Sequence, residues 1–465
     1  MSETAAARTL VVNNVIERYY GNIQHLLCTL AGRGAGNDFN PGFELPPLDD
    51  EMVRFFAPSS VAVHSLAGYR GSRLALLDLM RNPGTRTTKS LASLIMVARA
   101  VEHVRRTGRR VMLLTPSSAN KATALRDAVL RALRCGLVES DQLQITTVVP
   151  ESSYPKLWSS PLSTDPVLRV RNPVVVYQGP DPAGVKALAR RFYDKYAGRL
   201  RELTGADVWY TLDIDNYRCA DAVRALFEYD FHAPDETRGR LHVHSVSSAY
   251  GLLGHALGHA RRPGAGAPPR YFLVQHLGTP DMVLSLLYGS ASRDLMPAYE
   301  YDAAAGLYRQ AADPHFPHST YDPAERLDPT FYTHNPPTSA AMNELIRTRG
   351  GGGVVVSLHE CLGRYAEIRA LLGGTSVTLP ADPRRLREWS LVMAFTGVLN
   401  AIDRGLVDDD DILVHGSGSY SDEDFCLISP EYLHMAGDVA AVKRAVCDAL
   451  AVRDRITLPE LESVG

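Results

Sequence analysis

Short apolar runs alternate with amphipathic stretches over most of the chain. "RVMLLT" (110–115) is an apolar run closed by a polar turn, the pattern of a strand buried on both faces. The segment behind it, "ANKATALRDAVLRALRC", repeats its apolar residues at helical spacing. "LQITTVV", "PVVVYQG", "DVWYTLD", "RLHVHSV" and "RYFLVQHLG" read as further strands, with helices predicted over 182–203 and 218–229. "GVVVSLH", a helix over 383–405 and "DILVHGSGSY" follow; that helix has Pro just inside its predicted start and Gly at its end. Such alternation predicts an α/β fold of βαβ crossovers, in which ligands collect at the carboxyl ends of the strands.

Three stretches break the pattern. Residues 32–50 are rich in Gly, Pro and Asn, 260–270 ("ARRPGAGAPPR") read as an exposed connection, and 293–335 are rich in Asp, Pro, Tyr and His with weak periodicity. The 465 residues are 45% hydrophobic and 22% charged, enough for a large core in two or three lobes. A formal net charge of -3 gives no reason to expect nucleic acid or an anionic membrane as a partner. The six cysteines contain no CxxC pair, which suits reduced thiols in the cytoplasm and neither a disulfide framework nor a zinc site. The first twenty residues lack the pattern of a signal peptide, and no apolar run reaches the ~20 residues that span a bilayer. A soluble, cytoplasmic protein is expected.

One lysine stands out. In "NPGTRTTKSLASLIMVARAVE" (82–102), Lys89 lies where a Thr-rich loop enters a long apolar-periodic helix. An amine at a helix start meets the positive end of the macrodipole, and apolar neighbours disfavour its charged form further. Those are the conditions a Schiff-base lysine needs. One strand later, "LLTPSSANKATA" places Ser117, Ser118, Ala119, Asn120 and Lys121 in a turn before a helix, where hydroxyls and backbone N–H groups make an anion site.

In that order the segments resemble the fold-type II pyridoxal phosphate (PLP) enzymes, in the threonine synthase-like branch. That family carries its cofactor lysine in an "N-P-T-G-S-F-K-D-R" type loop, one strand before an "S-S-G-N" type turn. "DNYRCADAVRALFEYDF" (215–231) resembles its "N-x-x-R-x-x-G-x-x-x-x-x-x-E" helix, and "FLVQHLGTPDMVLSLLYG" (272–289) its strand, phosphate-cup loop and helix. "DILVHGSGSYSDEDF" resembles its terminal strand and loop at the pyridine nitrogen. The resemblance covers roughly 82–425. It implies a large α/β domain (1–110, with an N-terminal extension over 1–60, and 251–465), a smaller βαβ lobe (111–250) and open, twisted, mostly parallel sheets. It further implies PLP as cofactor, a small-molecule amino-acid substrate, a homodimer, and a lyase or synthase reaction: α-proton abstraction, then β- or γ-elimination or replacement. Lys89 would bind the cofactor and move the α-proton. Ser117, Ser118, Asn120 and Lys121 would hold the substrate carboxylate, with Asn120 also on the ring oxygen. Gly278 and Thr279 would contribute to the phosphate cup, and either Ser417 or His415 would meet the ring nitrogen. No metal is implied.

The chain also departs from that pattern. Ala119 replaces a glycine, Ser90 and Leu91 follow the lysine in place of Asp-Arg, and the cup is "LGTPDM", in which Pro280 has no N–H. Asp281 would repel a phosphate and is expected to cap the helix that follows. These departures point to specialised biosynthesis, or to a cofactor-free scaffold with a binding or regulatory role. Other motifs read as structure. "GGGG" (350–353) is expected to be a flexible turn, and "DDDD" (408–411) a solvated one. "HGSGSY" is not a nucleophile elbow, because Gly416 and Gly418 directly flank Ser417. His242 and His244 share one face of a strand without a helical H-E-x-x-H to support a metal.

Overall fold

The structure, a computed structural model, describes residues 9–30, 38–212, 214–235, 237–262, 266–331 and 333–454. Parts of the two predicted loops, 31–37 and 263–265, lie outside the described residues, as do the first eight residues. The chain divides into two compact units: Met1–Val15, Ser60–Thr88 and Asp221–Asp424 form one, and Ile16–Ser59, Lys89–Ala220 and Phe425–Gly465 the other.

The first unit holds a seven-stranded sheet. Its strands are β1 (Thr9–Val12), β2 (Val61–Ser65), β3 (Arg73–Asp78), β8 (Leu241–Ser245), β9 (Arg270–His276), β13 (Gly351–Val356) and β14 (Asp411–Gly416), in the order β1-β2-β3-β14-β8-β9-β13. β1, β2 and β3 pair antiparallel and the rest of the sheet is parallel. The parallel strands are apolar on both faces because both are covered. Phe272 and Val274 of β9 pack with Phe395, Val398 and Leu399 of the helix Ser390–Asp403. Tyr271 and Leu273 pack on the other side with Leu252, Met282 and Val283. A small antiparallel sheet, β10 (Glu300–Asp302), β11 (Leu307–Arg309) and β12 (Ser319–Thr320), fills the segment of weak periodicity.

The second unit is built on an all-parallel five-stranded sheet. Its strands are β4 (Arg110–Pro116), β5 (Leu143–Pro150), β6 (Val174–Tyr177), β7 (Ala206–Tyr210) and β15 (Leu433–Ala436), ordered β15-β6-β5-β4-β7. Helices Lys89–Thr107, Asn120–Arg134, Gly184–Thr204 and Val439–Asp454 accompany it.

Several expectations change in detail. β8 pairs with β14 and β9, so it belongs to the seven-stranded sheet, and the units divide at 15/16, 59/60, 88/89, 220/221 and 424/425 where 110/111 and 250/251 were expected. Residues 218–229 belong to two helices, Ile214–Asp221 and Val223–Phe231. The helix expected from residue 383 starts at Ser390. Pro383 opens only a single 3₁₀ turn, and the Glu388 carboxylate accepts the Ser390 N–H at 3.1 Å, inside the new helix start. Three glycines of the run, Gly351 to Gly353, are strand and not a flexible turn: a Cβ on Gly351 would lie 1.9 Å from the Tyr271 carbonyl oxygen, so only glycine allows that strand to approach β9. The last residue of the aspartate run is not solvated: Asp411 is buried at the start of β14 and binds Arg240.

Candidate functional site

Within the second unit, Lys89 is the first residue of the helix Lys89–Thr107, and its amine lies 5.5 Å from the ring centroid of Tyr217. Lys121, one residue into the helix Asn120–Arg134, has its amine 5.9 Å from the same centroid and donates to the Thr211 carbonyl. Lys121 is buried; burial, then the charges of Lys89 and Lys186, lower its pKa to about 7. Tyr217, itself buried, was not picked out from the sequence, although it stands in the "DNYRC" segment; the signal available was an aromatic inside a motif otherwise read for its Asn and Arg.

The turn before Lys121 is strained. Ala119 has φ 86° and ψ -61°, the dihedrals of a γ-turn with positive φ, which a Cβ disfavours. This explains why the resemblance carries glycine at that position. Ser117 Oγ accepts the Ala122 N–H at 2.9 Å, so this hydroxyl works as a helix cap and Lys121 as a carbonyl ligand. Ser118 is half-buried, and Asn120 is buried at the helix start. Just upstream, Thr115 and Thr147 face each other in register on β4 and β5, both fully buried, and neither hydroxyl has a hydrogen-bond partner among the described residues. Orphaned buried hydroxyls at the carboxyl ends of parallel strands suit a polar ligand.

Within the first unit, the loop 82–88 is fastened to the end of β14. The Thr88 N–H donates to the Ser417 carbonyl at 2.9 Å, Thr87 Oγ1 donates to the same oxygen at 3.1 Å, and the Ser419 N–H reaches Arg86 O. Gly418 leaves room for Glu388 on this loop, since a Cβ there would lie 2.8 Å from Glu388 Cγ. Ser417 is half-exposed, with Oγ 3.2 Å from Ser245 Oγ. His415 is fully buried, between Arg224 and His242. Burial, then the charge of Arg224 and the neighbouring histidines, holds its pKa well below the ordinary value. Of the two candidates for a ring nitrogen, Ser417 has the accessible side chain.

The loop assigned to a phosphate is already satisfied by its own side chains. Gln275 Oε1 accepts the Met282 and Val283 N–H groups at 2.9 and 3.0 Å, capping the helix Asp281–Tyr288. Gly278 donates its N–H to His276 Nδ1 at 3.0 Å, and Thr279 Oγ1 lies 3.3 Å from His276 Nε2. A Cβ on Gly278 would lie 2.7 Å from His276 Cε1, so the space above the glycine is filled. Asp281 does not cap its helix; the buried carboxylate accepts the Asn335 N–H at 2.7 Å and lies 3.3 Å from His334 Nδ1.

The histidines of β8 are interior. His242 lies 3.0 Å from His415, and Glu228, His242 and His255 place donor atoms within 4.8 Å of one another. Burial would raise the Glu228 carboxyl; His242, the His255 hydrogen bond and Arg240 outweigh it and hold the group well below the usual carboxylate range.

The two sheets define an α/β protein whose lysine helix opens the Lys89–Ala220 segment of the second unit. The chain belongs to a family described as of unknown function, DUF6002, whose profile matches residues 11–450. No curated protein matches its sequence. Among solved structures it is similar to PLP-bound threonine synthase from Brucella melitensis, at 12% identity over 92% of this chain and 83% of that one, TM-score 0.47. It is also similar to a pyridoxal 5'-phosphate-dependent aspartate racemase, at 13% identity, 76% and 86% coverage and TM-score 0.47. A third is the processed form of threonine deaminase isoform 2 from Solanum lycopersicum, at 14% identity, 91% and 96% coverage and TM-score 0.46. No helix among the described residues is long and apolar enough to cross a membrane.

Proposed function

We propose that the chain is a fold-type II PLP enzyme acting on an amino acid, with Lys89 as the amine that carries the cofactor. The observation that carries the reading is the amine pair on one aromatic ring: Lys89 at a helix start and the buried Lys121, both over Tyr217. Burial first, then the charges of Lys89 and Lys186, lower the pKa of Lys121 to about 7. The uncharged form of a lysine amine is the nucleophile toward an aldehyde, and the Lys89 amine stands beside Lys121 on the same ring. Within the second unit the donor set suits such a cofactor: a primary amine, the buried hydroxyls of Thr115 and Thr147, and the Ser117–Asn120 turn.

When bound, PLP supplies the electron sink that lets a bond at the α-carbon of an amino acid break. Lys89 Nζ would accept the α-proton and return it. The face of Tyr217 orients that amine. Asn120 and the half-buried Ser118 would bind the substrate carboxylate. Ser417, a neutral hydroxyl, would hydrogen-bond the ring nitrogen without protonating it, which favours β- or γ-elimination or replacement over transamination. This is the threonine synthase-like branch of the chemistry, carried out in the cytoplasm by a homodimer, with a place in specialised biosynthesis.

A second reading has its own observation. The segment 277–283 offers no open cradle for a phosphate, because His276 and Gln275 already accept the N–H groups of Gly278, Met282 and Val283. That suits a cofactor-free scaffold in a binding or regulatory role. Solvent deuterium exchange at the α-carbon separates the two. With PLP in deuterated buffer, the protein should exchange the α-proton of at least one of serine, threonine or their O-acyl derivatives, and Lys89→Ala should not. Absence of exchange together with absence of cofactor uptake favours the scaffold.

A further inference from the structure

Arg224 is almost fully buried, and its guanidinium is held from three sides. Nε and Nη2 donate to Asp221 Oδ1 at 2.8 and 2.7 Å, Nη2 donates to Thr88 Oγ1 at 2.9 Å, and Nη1 lies 3.2 Å from His415 Nδ1. Gly251 makes the room: a Cβ there would lie 2.5 Å from Nη2. Arg224 therefore touches the residue that precedes Lys89 and the strand end that leads to Ser417.

A guanidinium only donates, so His415 Nδ1 must accept, and a neutral ring then carries its proton on Nε2. Nε2 lies 3.0 Å from His242 Nδ1, so His415 donates and His242 accepts. The His242 proton is then on Nε2, turned toward Glu228 Oε1 at 3.7 Å. From the other side, His255 Nε2 donates to Glu228 Oε2 at 2.7 Å, which leaves His255 Nδ1 to accept from the Tyr271 hydroxyl at 3.0 Å. Arg240 also donates to the carboxylate, at 2.8 Å. Every proton in the chain points away from Arg224 or Tyr271 and toward Glu228.

This polarity decides between two uses of the cluster. Glu228, His242 and His255 have the spacing of a metal triad. A ligating His242 Nε2 would have to be unprotonated, with the proton on Nδ1. His415 Nε2 would then accept, and its own proton would sit on Nδ1 against a guanidinium that cannot accept it. The cluster is a directed hydrogen-bond chain.

We propose that Arg224 is a positioning residue that, through His415 and Thr88, fixes together the loop leading into Lys89 and the strand end carrying Ser417. The inference rests on the reading of Lys89 and Ser417 as site residues, but its mechanical core is testable without cofactor. Lysine also only donates, whereas glutamine can accept, so Arg224→Lys and Arg224→Gln divide the effect.

The test uses full-length protein without cofactor, labelled with ¹⁵N-histidine, the His415 signals being assigned by their loss in His415→Gln. Wild type and Arg224→Lys should show His415 protonated on Nε2 alone; Arg224→Gln should show a mixture. Amide deuterium exchange over 82–88 and 415–419 should rise about tenfold or more in Arg224→Gln, as expected for loss of a charge-assisted bond, and stay near wild type in Arg224→Lys. Gly251→Ala, which displaces the guanidinium by crowding, should reproduce the glutamine result if Arg224→Gln does not fold. An Nδ1-protonated His415 in wild type would overturn the inference. So would unchanged exchange in both Arg224→Gln and Gly251→Ala, or Co(II) d–d absorption that His255→Ala removes. Failure of wild type to take up PLP would sink the proposed function and leave these results standing.

Discussion

Lys89 and Lys121 share one face-on partner: their amines lie 5.5 and 5.9 Å from the centroid of the Tyr217 ring. Lys121 is the more enclosed of the two, and its proton is held weakly for that reason. In the unfolded chain this amine titrates near 10.5, and in the folded protein near 7. Across that window the unfolded state binds the extra proton, so stability rises with pH, and the burden is complete below pH 7. Lys121→Met should therefore gain stability relative to wild type at low pH, and the gain should shrink as the pH is raised toward 10.5. Urea unfolding of both proteins through that range measures it; a difference that does not change with pH would contradict the burial argument.

Ser417→Ala should separate stability from cofactor binding. The hydroxyl is half-exposed, and its contact with Ser245 Oγ is a neutral one at 3.2 Å. Its removal should shift unfolding free energy by no more than about 1 kcal/mol. The absorbance of bound PLP and its affinity should change together. Identical spectra and affinity in the variant would remove Ser417 from the ring nitrogen.

Gln275→Leu tests whether the loop after β9 is self-capped. The substitution leaves the buried N–H groups of Met282 and Val283 without their acceptor, at a cost of about 1–3 kcal/mol for an unsatisfied buried donor. Denaturant unfolding should show that loss. Stability at the wild-type level would mean that these donors are open to an outside anion, which would return a phosphate cup to this loop.

Much of the fold was legible because its cause is local. β4, β5, β9 and β14 are apolar runs covered on both faces, and such runs announce themselves. β1, β2 and β3 were not picked out, and β10 to β12 are strands of two or three residues whose pairing is set by partners in the same hairpin-like segment, a signal too short for periodicity. The start at Ser390 depended on Glu388 turning back to cap it, which no local pattern shows. The Lys89 join, the Ser117–Lys121 turn and the Ser417 loop were all visible as punctuation at strand ends. Tyr217 and Arg224 were not singled out, because their importance comes from residues far away in sequence: Lys121 for one, Thr88 and His415 for the other. The cup residues Gly278 and Thr279 were read from order alone. What fills their loop, His276 and Gln275, became visible only in three dimensions.

Gly258→Ala should show how tightly the helices Val223–Phe231 and Tyr250–Ala260 are packed. A Cβ at Gly258 would lie 2.4 Å from the Ala222 carbonyl oxygen and 3.0 Å from Ala225 Cβ. Backbone cannot step aside cheaply, and overpacking of this kind costs about 1–3 kcal/mol. Gly21→Ala, where nothing lies within 4 Å, is the control and should be neutral or stabilising. Thermal unfolding of the two variants checks the pair; equal midpoints would contradict the close approach.

The most direct measurement of the central claim is where the cofactor attaches. Purified protein is incubated with PLP near neutral pH, reduced with borohydride, digested and mapped by mass spectrometry. The account predicts a pyridoxyl adduct on the peptide that contains Lys89, absent from Lys89→Ala. An adduct on Lys121 or a surface lysine in its place, or no adduct at all, would contradict it.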